Sequence, residues 1–311
     1  MPIGGAEDKR GERAVLRRFV EASGGEGARI AVIPTASRLR DTGQTYVDLF
    51  RDLGACEARS LAFRHPEDGA RAEHVQALRD ATGVFMTGGN QSRLTRVLLD
   101  TPCWETLLSA HAGGTNVAGT SAGAAVMSST MIASGQSGLR PRLGMVSLQR
   151  GFGLSSRVLV DQHFSQRERL GRLITALSHG VAPVGLGVDE DTAALFDGHG
   201  RFEVVGSGTV SVVRTPAADA PRNGRDADQS CGGLGRPRRA HDATEDGDAL
   251  EALAAGPVTV LHAGQGYDLR LGRALDSSEL SSLRATITEG AQQLAARDPS
   301  PCTPSSSPES P

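Results

Sequence analysis

Over roughly the first 215 residues, short apolar runs alternate with stretches in which apolar residues recur every three or four positions. The segment "RGERAVLRRFVEAS" (10–23) brings Ala14, Leu16, Phe19 and Val20 near one face and predicts an amphipathic helix. "ARIAVIPTAS" (28–37) follows as a buried strand that ends in a turn. Helices around Tyr46–Leu53 and Ala70–Asp80, with a strand near Arg59–Phe63 between them, continue the alternation. "TGVFMTGGNQSRLTRVLLD" (82–100) reads as strand, glycine turn and helix. A helix at 103–112 and the strand "TNVAG" come next. Strands separated by helices of this length predict an α/β fold, with a mostly parallel, doubly wound sheet covered by helices on both faces. Ligands of such sheets bind beyond the carboxyl ends of the strands, where "TGGNQ" and "GTSAG" both fall.

The second half changes character. "RVLVDQHF" (157–164) predicts a strand, and the arginine-rich "SQRERLGRLITAL" a helix. Strand candidates then follow in quick succession: "DTAALF", "FEVVG", "GTVSVVR", "PVTVLH" and "YDLRL". Residues 216–248 are polar, rich in glycine and proline and without periodicity, and read as a mobile insertion between two of those strands. The division expected is a catalytic α/β domain over 1–215, the insertion, strands and a helix over 249–296 that complete the same domain, and a disordered tail over 297–311.

Composition narrows the function. A net charge of -3 gives no footprint for nucleic acid or a membrane surface. Aromatic residues, at 4%, are too few for stacking platforms. No apolar run approaches the roughly 20 residues that span a bilayer, and "MPIGGAEDKRGERA" lacks the shape of a signal peptide. A cytoplasmic protein is expected. Cys56, Cys103, Cys231 and Cys302 form no C-x-x-C pair, so neither a structural disulfide nor a zinc site is expected.

The candidate chemistry centres on Gly119-Thr120-Ser121-Ala122-Gly123, a G-x-S-x-G sequence between an apolar run and a helix-prone one. This suits a sharp strand-to-helix turn with an exposed serine, where a side chain in place of either glycine would clash. A serine nucleophile needs a base, a group that orients the base, and donors for an oxyanion. Among the histidines, His163 stands at the end of an apolar strand within a polar cluster, the place of an α/β catalytic base. No acid lies between Ala122 and Val160. The orienting acid is therefore sought at Asp161 or in "GLGVDEDTAALF", which offers Asp189, Glu190 and Asp191; Glu190 is favoured. Oxyanion donors are expected from the backbone of Ala122 and from the Gly88-Gly89-Asn90 turn, with Gly89 the choice there. Arg167, Arg169 and Arg172 lie within nine residues of His163, and guanidinium forks suit the carboxylates of an acidic substrate.

"GGAEDK", "FMTGGNQSRL", "GTSAGAAVMS", "DQHFSQRERLGRL" and "GVDEDTAALF", taken together and in this order, resemble the cyanophycinases within the wider family of dipeptidase E-like serine peptidases. The resemblance covers roughly residues 1–215 and "VTVLHAGQGYDL" near 258–269. It implies a serine exopeptidase on a flavodoxin-like sheet related to class I glutamine amidotransferases. The implied substrate is cyanophycin, an aspartate backbone bearing arginine on each β-carboxyl; the implied products are β-aspartyl-arginine dipeptides. It places the nucleophile at Ser121 and the base at His163, and puts Gln91, Asp161, Gln162, Arg167, Arg169 and Arg172 on substrate-pocket motifs. It implies a homodimer and requires no metal or organic cofactor. Another acidic-peptide hydrolase of the family, or a catalytically silent binding protein on the same sheet, are the alternative readings.

Overall fold

The computed structural model describes residues 1–218 and 256–297. The expected insertion (216–248) and tail (297–311) therefore lie almost wholly outside the described residues. Five parallel strands form one half of the main sheet: β1 (Pro2–Ile3), β2 (Arg29–Ile33), β3 (Glu57–Ser60), β4 (Gly83–Met86) and β5 (Asn116–Thr120). They lie in the order β1-β5-β4-β2-β3.

Period-two alternation decides which side chains meet which helices. Ile30, Val32, Phe85 and Ala118 point to one face, where they pack with Phe19 of α1 (Ala14–Ala22) and with Tyr46 and Phe50 of α2 (Thr42–Asp52). Ala31, Ile33, Val84, Met86 and Val117 point to the other face. There they meet Leu78 of α3 (Ala72–Asp80), Leu94 and Leu98 of α4 (Gln91–Leu98), and Leu107 of α5 (Pro102–Ala112). The helices thus cover both faces of the parallel half, as the alternation predicts.

The rest of the sheet departs from that expectation. Beyond β1 the sheet continues with antiparallel strands β10 (Thr192–Phe196), β11 (Arg201–Gly206), β14 (Gly266–Asp268) and β15 (Arg273–Ala274). A second sheet of β8 (Val158–Gln162), β9 (Val184–Val188), β12 (Thr209–Arg214) and β13 (Val258–His262) keeps only the β8–β9 pair parallel. The short connections from β10 to β11 and from β14 to β15 leave no room for the crossover that parallel neighbours require. Strands β12 and β13, on either side of the undescribed stretch, pair with each other from Thr209↔His262 to Val213↔Val258. A hairpin of β6 (Thr130–Gly135) and β7 (Val146–Arg150), absent from the sequence reading, follows the short helix α6 (Ala122–Ala125). The last described helix, α8 (Ser277–Ala296), begins with a capping box between Asp276 and Glu279 and sends Leu283 and Ile287 into the core beside α1.

Local interactions shift two predicted helices. Asp8 accepts hydrogen bonds from the backbone N–H groups of Arg10, Gly11 and Arg13, which draw its carboxyl down to about 2. These bonds hold residues 10–13 in a turn, so α1 starts only at Ala14. The helix expected over "SQRERLGRLITAL" breaks at Glu168, where φ is 49°, and α7 runs from Leu170 to Ser178. Cys103 is a buried free thiol, but Cys56 is disulfide-bonded, against expectation. No described helix is long and apolar enough to cross a membrane.

The centre of the first core is aromatic. Phe85 has its ring centroid 4.7 Å from Tyr46, 5.0 Å from Phe50 and 5.6 Å from Phe19. Phe85→Ala would leave a cavity bounded by three rings and is expected to lower stability by about 3–5 kcal/mol, measured by denaturant unfolding.

Candidate active site

The turn after β5 takes the form its sequence demands. Ser121 adopts φ 52° and ψ -108°, a sparsely populated conformation, and α6 begins at the next residue. A Cβ on Gly119 would lie 2.3 Å from the carbonyl oxygen of Gly123, and one on Gly123 would lie 2.3 Å from that of Met86. Both glycines are therefore required by close backbone approach. The Ser121 N–H donates to Ile3 O at 3.0 Å, and the carbonyl of Ser121 accepts from Ala124 and Ala125.

The serine meets a base and an acid. Ser121 Oγ is 2.9 Å from His163 Nε2, and His163 Nδ1 is 2.5 Å from Glu190 Oε1. His163 lies just past β8 with φ 48°, so the extended backbone of the strand ends at this residue. Gly5 lies against the imidazole: a Cβ there would stand 2.3 Å from His163 Cε1.

The three other candidate acids are committed elsewhere. Asp161 is buried and receives Arg172 through both Nε and Nη2. Asp189 accepts from the Ser165 and Thr209 N–H groups and from the Thr209 hydroxyl. Asp191 accepts from the Asp8 N–H and the Ser207 hydroxyl. Glu190, with its side chain 35% exposed, alone of the four reaches the imidazole.

Burial lowers the pKa of His163 below its ordinary 6.5; the Glu190 hydrogen bond opposes that shift, and the positive charge of Arg167 adds to it. The imidazole is thus neutral near pH 7, the state a proton acceptor requires.

The candidate pocket residues divide by burial. Arg169 and Arg172 do not present open forks. The Arg172 side chain is 5% exposed and turned onto Asp161, while Arg169 bonds the carbonyl and the side-chain oxygen of Gln162. Burial lowers Arg169 to about 10, which leaves it charged. In this arrangement both guanidinium groups are turned onto Asp161 and Gln162 at the end of β8. Arg167, in contrast, is exposed. Gln162 Oε1 lies 3.4 Å from Ser121 Oγ. Gln91 donates its amide to the carbonyls of Ile132 and Ala133 in β6 and leaves its own oxygen to accept. In the glycine turn, Gly88 packs beside Ser121 Cβ, while Gly89, at φ 140°, packs against the Ala36 carbonyl. Ala122, first residue of α6, carries one of the N–H groups that a helix start leaves without an intrahelical partner. Among the described residues no group of three or more His, Cys, Asp or Glu is placed to hold a metal ion.

The sequence reading missed the contribution of Gly5, which belongs to "GGAEDK", a motif with no local sign of where it would fold. It also missed the β6 carbonyls that orient Gln91, since that strand alternates too weakly to stand out.

Comparison with known proteins places this geometry in context. The chain is 41% identical over 225 residues to a cyanophycinase of Geminocystis herdmanii, covering 72% of this chain and 83% of that one. It is 44% identical over 213 residues to a cyanophycinase of Nostoc, covering 68% and 72%. The fold is similar to that of a peptidase from an acI-B1 Actinobacterium, with a TM-score of 0.57 and 21% identity, over 86% of this chain and 95% of that one. Residues 2–204 match the model of peptidase family S51, and the chain belongs to that family.

Proposed function

We propose that this chain hydrolyses cyanophycin to β-aspartyl-arginine dipeptides through an acyl-enzyme formed on Ser121. One observation carries the mechanism: the continuous relay from Ser121 Oγ to His163 at 2.9 Å and from His163 to Glu190 at 2.5 Å. The substrate rests on the kinship with cyanophycinases. As the Ser121 oxygen bonds to the aspartyl carbonyl carbon, its proton passes to His163 Nε2. Glu190 holds the Nδ1 proton and stabilises the imidazolium. The C–N bond then breaks as the imidazolium gives that proton to the leaving amine. Water attacks the resulting ester with His163 again the base, which frees the carboxylate and restores the serine.

The backbone N–H groups of Ala122 and Gly89 would serve the oxyanion. Gln91 and Gln162 line the approach to Ser121, and exposed Arg167 offers a fork to a substrate carboxylate. Asp161, Arg169 and Arg172 shape the pocket from behind. A flavodoxin-like ancestry fits the order of the parallel strands: counted from β2, the strands β2 to β5 run 2-1-3-4 across the sheet. A single domain interrupted after residue 215, and a cytoplasmic homodimer, belong to the same proposal.

The direct test follows clearance of an insoluble cyanophycin suspension and identifies the products by mass. Wild type should clear it to β-aspartyl-arginine, and Ser121→Ala should not. Glu190→Gln should lose activity by about 10⁴-fold, the scale seen when a triad acid becomes an amide. No clearance by folded wild type, with turnover of an aspartyl dipeptide instead, would replace the polymer with a smaller substrate.

The acid limb of fluorophosphonate labelling at Ser121 should have its midpoint below 6.5, because protonated His163 cannot accept the serine proton. Arg167→Ala removes a charge that disfavours imidazolium, so that midpoint should rise; a fall would contradict the assigned base. Gly5→Ala should slow labelling by about 100-fold, since the added methyl displaces the imidazole, while thermal unfolding shows the variant still folded.

A further inference from the structure

The buried carboxylate of Glu7 has no place in the chemistry above. It lies 1% exposed beneath the serine turn. One oxygen accepts from the Tyr46 hydroxyl and lies 2.9 Å from Lys9 Nζ, while the other accepts from Thr120 Oγ1 at 2.5 Å. Thr120 immediately precedes the nucleophile. Tyr46 is itself fixed by the aromatic core, 4.7 Å from Phe85 between ring centroids. Burial and the nearby carboxylate both raise the Tyr46 pKa, so its hydroxyl keeps the proton it donates.

The segment that carries Glu7 touches the whole relay. The carbonyl of Ile3 accepts from Ser121 N–H at 3.0 Å, that of Gly4 from His163 N–H at 2.8 Å, and that of Gly5 from Asp191 N–H at 2.8 Å. Asp8 N–H returns a bond to the Asp191 carboxylate at 2.8 Å, beside Glu190. Three loops distant in sequence are thus hung on six consecutive residues. Glu7 fastens those residues to the last residue of β5 and to α2.

Stability alone would not require a carboxyl side chain here. Burying a polar group costs desolvation free energy, and well-packed apolar residues often replace such groups without loss. What an apolar residue could not do is fix the Thr120 hydroxyl, and through it the peptide that enters Ser121. We propose that Glu7 is a positioning residue for the nucleophile, acting through Thr120 to hold Ser121 Oγ in line with His163. This inference rests on the assignment of Ser121 and His163 as nucleophile and base.

The test measures the rate of fluorophosphonate labelling at Ser121, together with kcat and KM on cyanophycin, well below the unfolding temperature of each variant. Glu7→Gln keeps the shape of the side chain but offers one acceptor oxygen where two are used. Thr120→Val removes the hydroxyl at nearly constant volume. Each should slow labelling and lower kcat by about 10- to 100-fold, the scale of a small misplacement of reacting groups, with KM unchanged. Thr120→Ser restores the hydroxyl and should recover the wild-type labelling rate. The double variant Glu7→Gln, Thr120→Val should be no slower than the slower single one, because both remove the same interaction.

Unchanged labelling in both single variants, with only a lower unfolding temperature, would overturn the proposal. So would losses that multiply in the double variant. If Glu7→Gln fails to fold, the pair Thr120→Val and Thr120→Ser decides alone. A folded wild type that does not label removes the nucleophile assignment and this inference with it. If wild type labels but leaves cyanophycin intact, only the polymer assignment falls, and the labelling rates of the variants still decide.

Discussion

The row of carbonyl oxygens from Ile3 to Gly5 is the constraint on which the site depends. These oxygens receive the amides of Ser121, His163 and Asp191, residues that come from three separate crossings of the fold. The two-residue strand β1 makes this possible. It pairs parallel with β5 on one side and antiparallel with β10 on the other, so its exit lies where the two halves of the sheet meet. The ends of β5 and β8 and the turn before β10 converge on that exit. A catalytic relay needs positional accuracy well below an ångström, and backbone hydrogen bonds to one short segment supply it more rigidly than packing of long side chains would.

At the end of β8 the structure places a charged cluster rather than an apolar wall. Asp161 is buried against Arg172 and Arg169, and its carboxylate is wholly engaged. That engagement leaves Glu190 to act on His163. It also removes two guanidinium forks from the open pocket, so the electrostatic contribution of the arginines divides into two parts. Arg169 and Arg172 balance a buried carboxylate, while exposed Arg167, and more weakly Arg169, disfavour the protonated imidazole. Both effects come from one stretch of sequence.

Much of this was legible in the sequence because its signals are local. The G-x-S-x-G sequence marks a tight strand-to-helix turn by itself, although Gly123 packs against Met86 of β4, and the apolar runs of the parallel half mark strands covered on both faces. His163 and Glu190 stand at the ends of apolar runs, where an α/β sheet exposes functional groups. What stayed hidden depends on partners far away in the chain. "GGAEDK" shows no periodicity, and the demands on Gly5 and Glu7 come from His163 and Thr120, more than a hundred residues on. The antiparallel half was obscured because β10 is as apolar as the parallel strands, and only its short connection to β11 marks the difference. The inward turn of Arg169 and Arg172 was hidden for a similar reason: a guanidinium three residues from another reads as a surface fork until its buried partner is known.

Strain and support are therefore distributed unequally. Ser121 and His163 both sit at positive φ, a conformation costing about 1–3 kcal/mol each for a residue with a side chain. Neither could be relaxed without moving the atom that matters, Oγ in one case and Nε2 in the other. The surrounding structure must over-determine both residues. It does so with glycines that admit the backbone closely, with a carbonyl row that fixes the amides, and with a buried carboxylate beneath the turn. The same short segment that joins the two halves of the main sheet aligns the relay, so the constraints that maintain the fold at this junction are also those that position its chemistry.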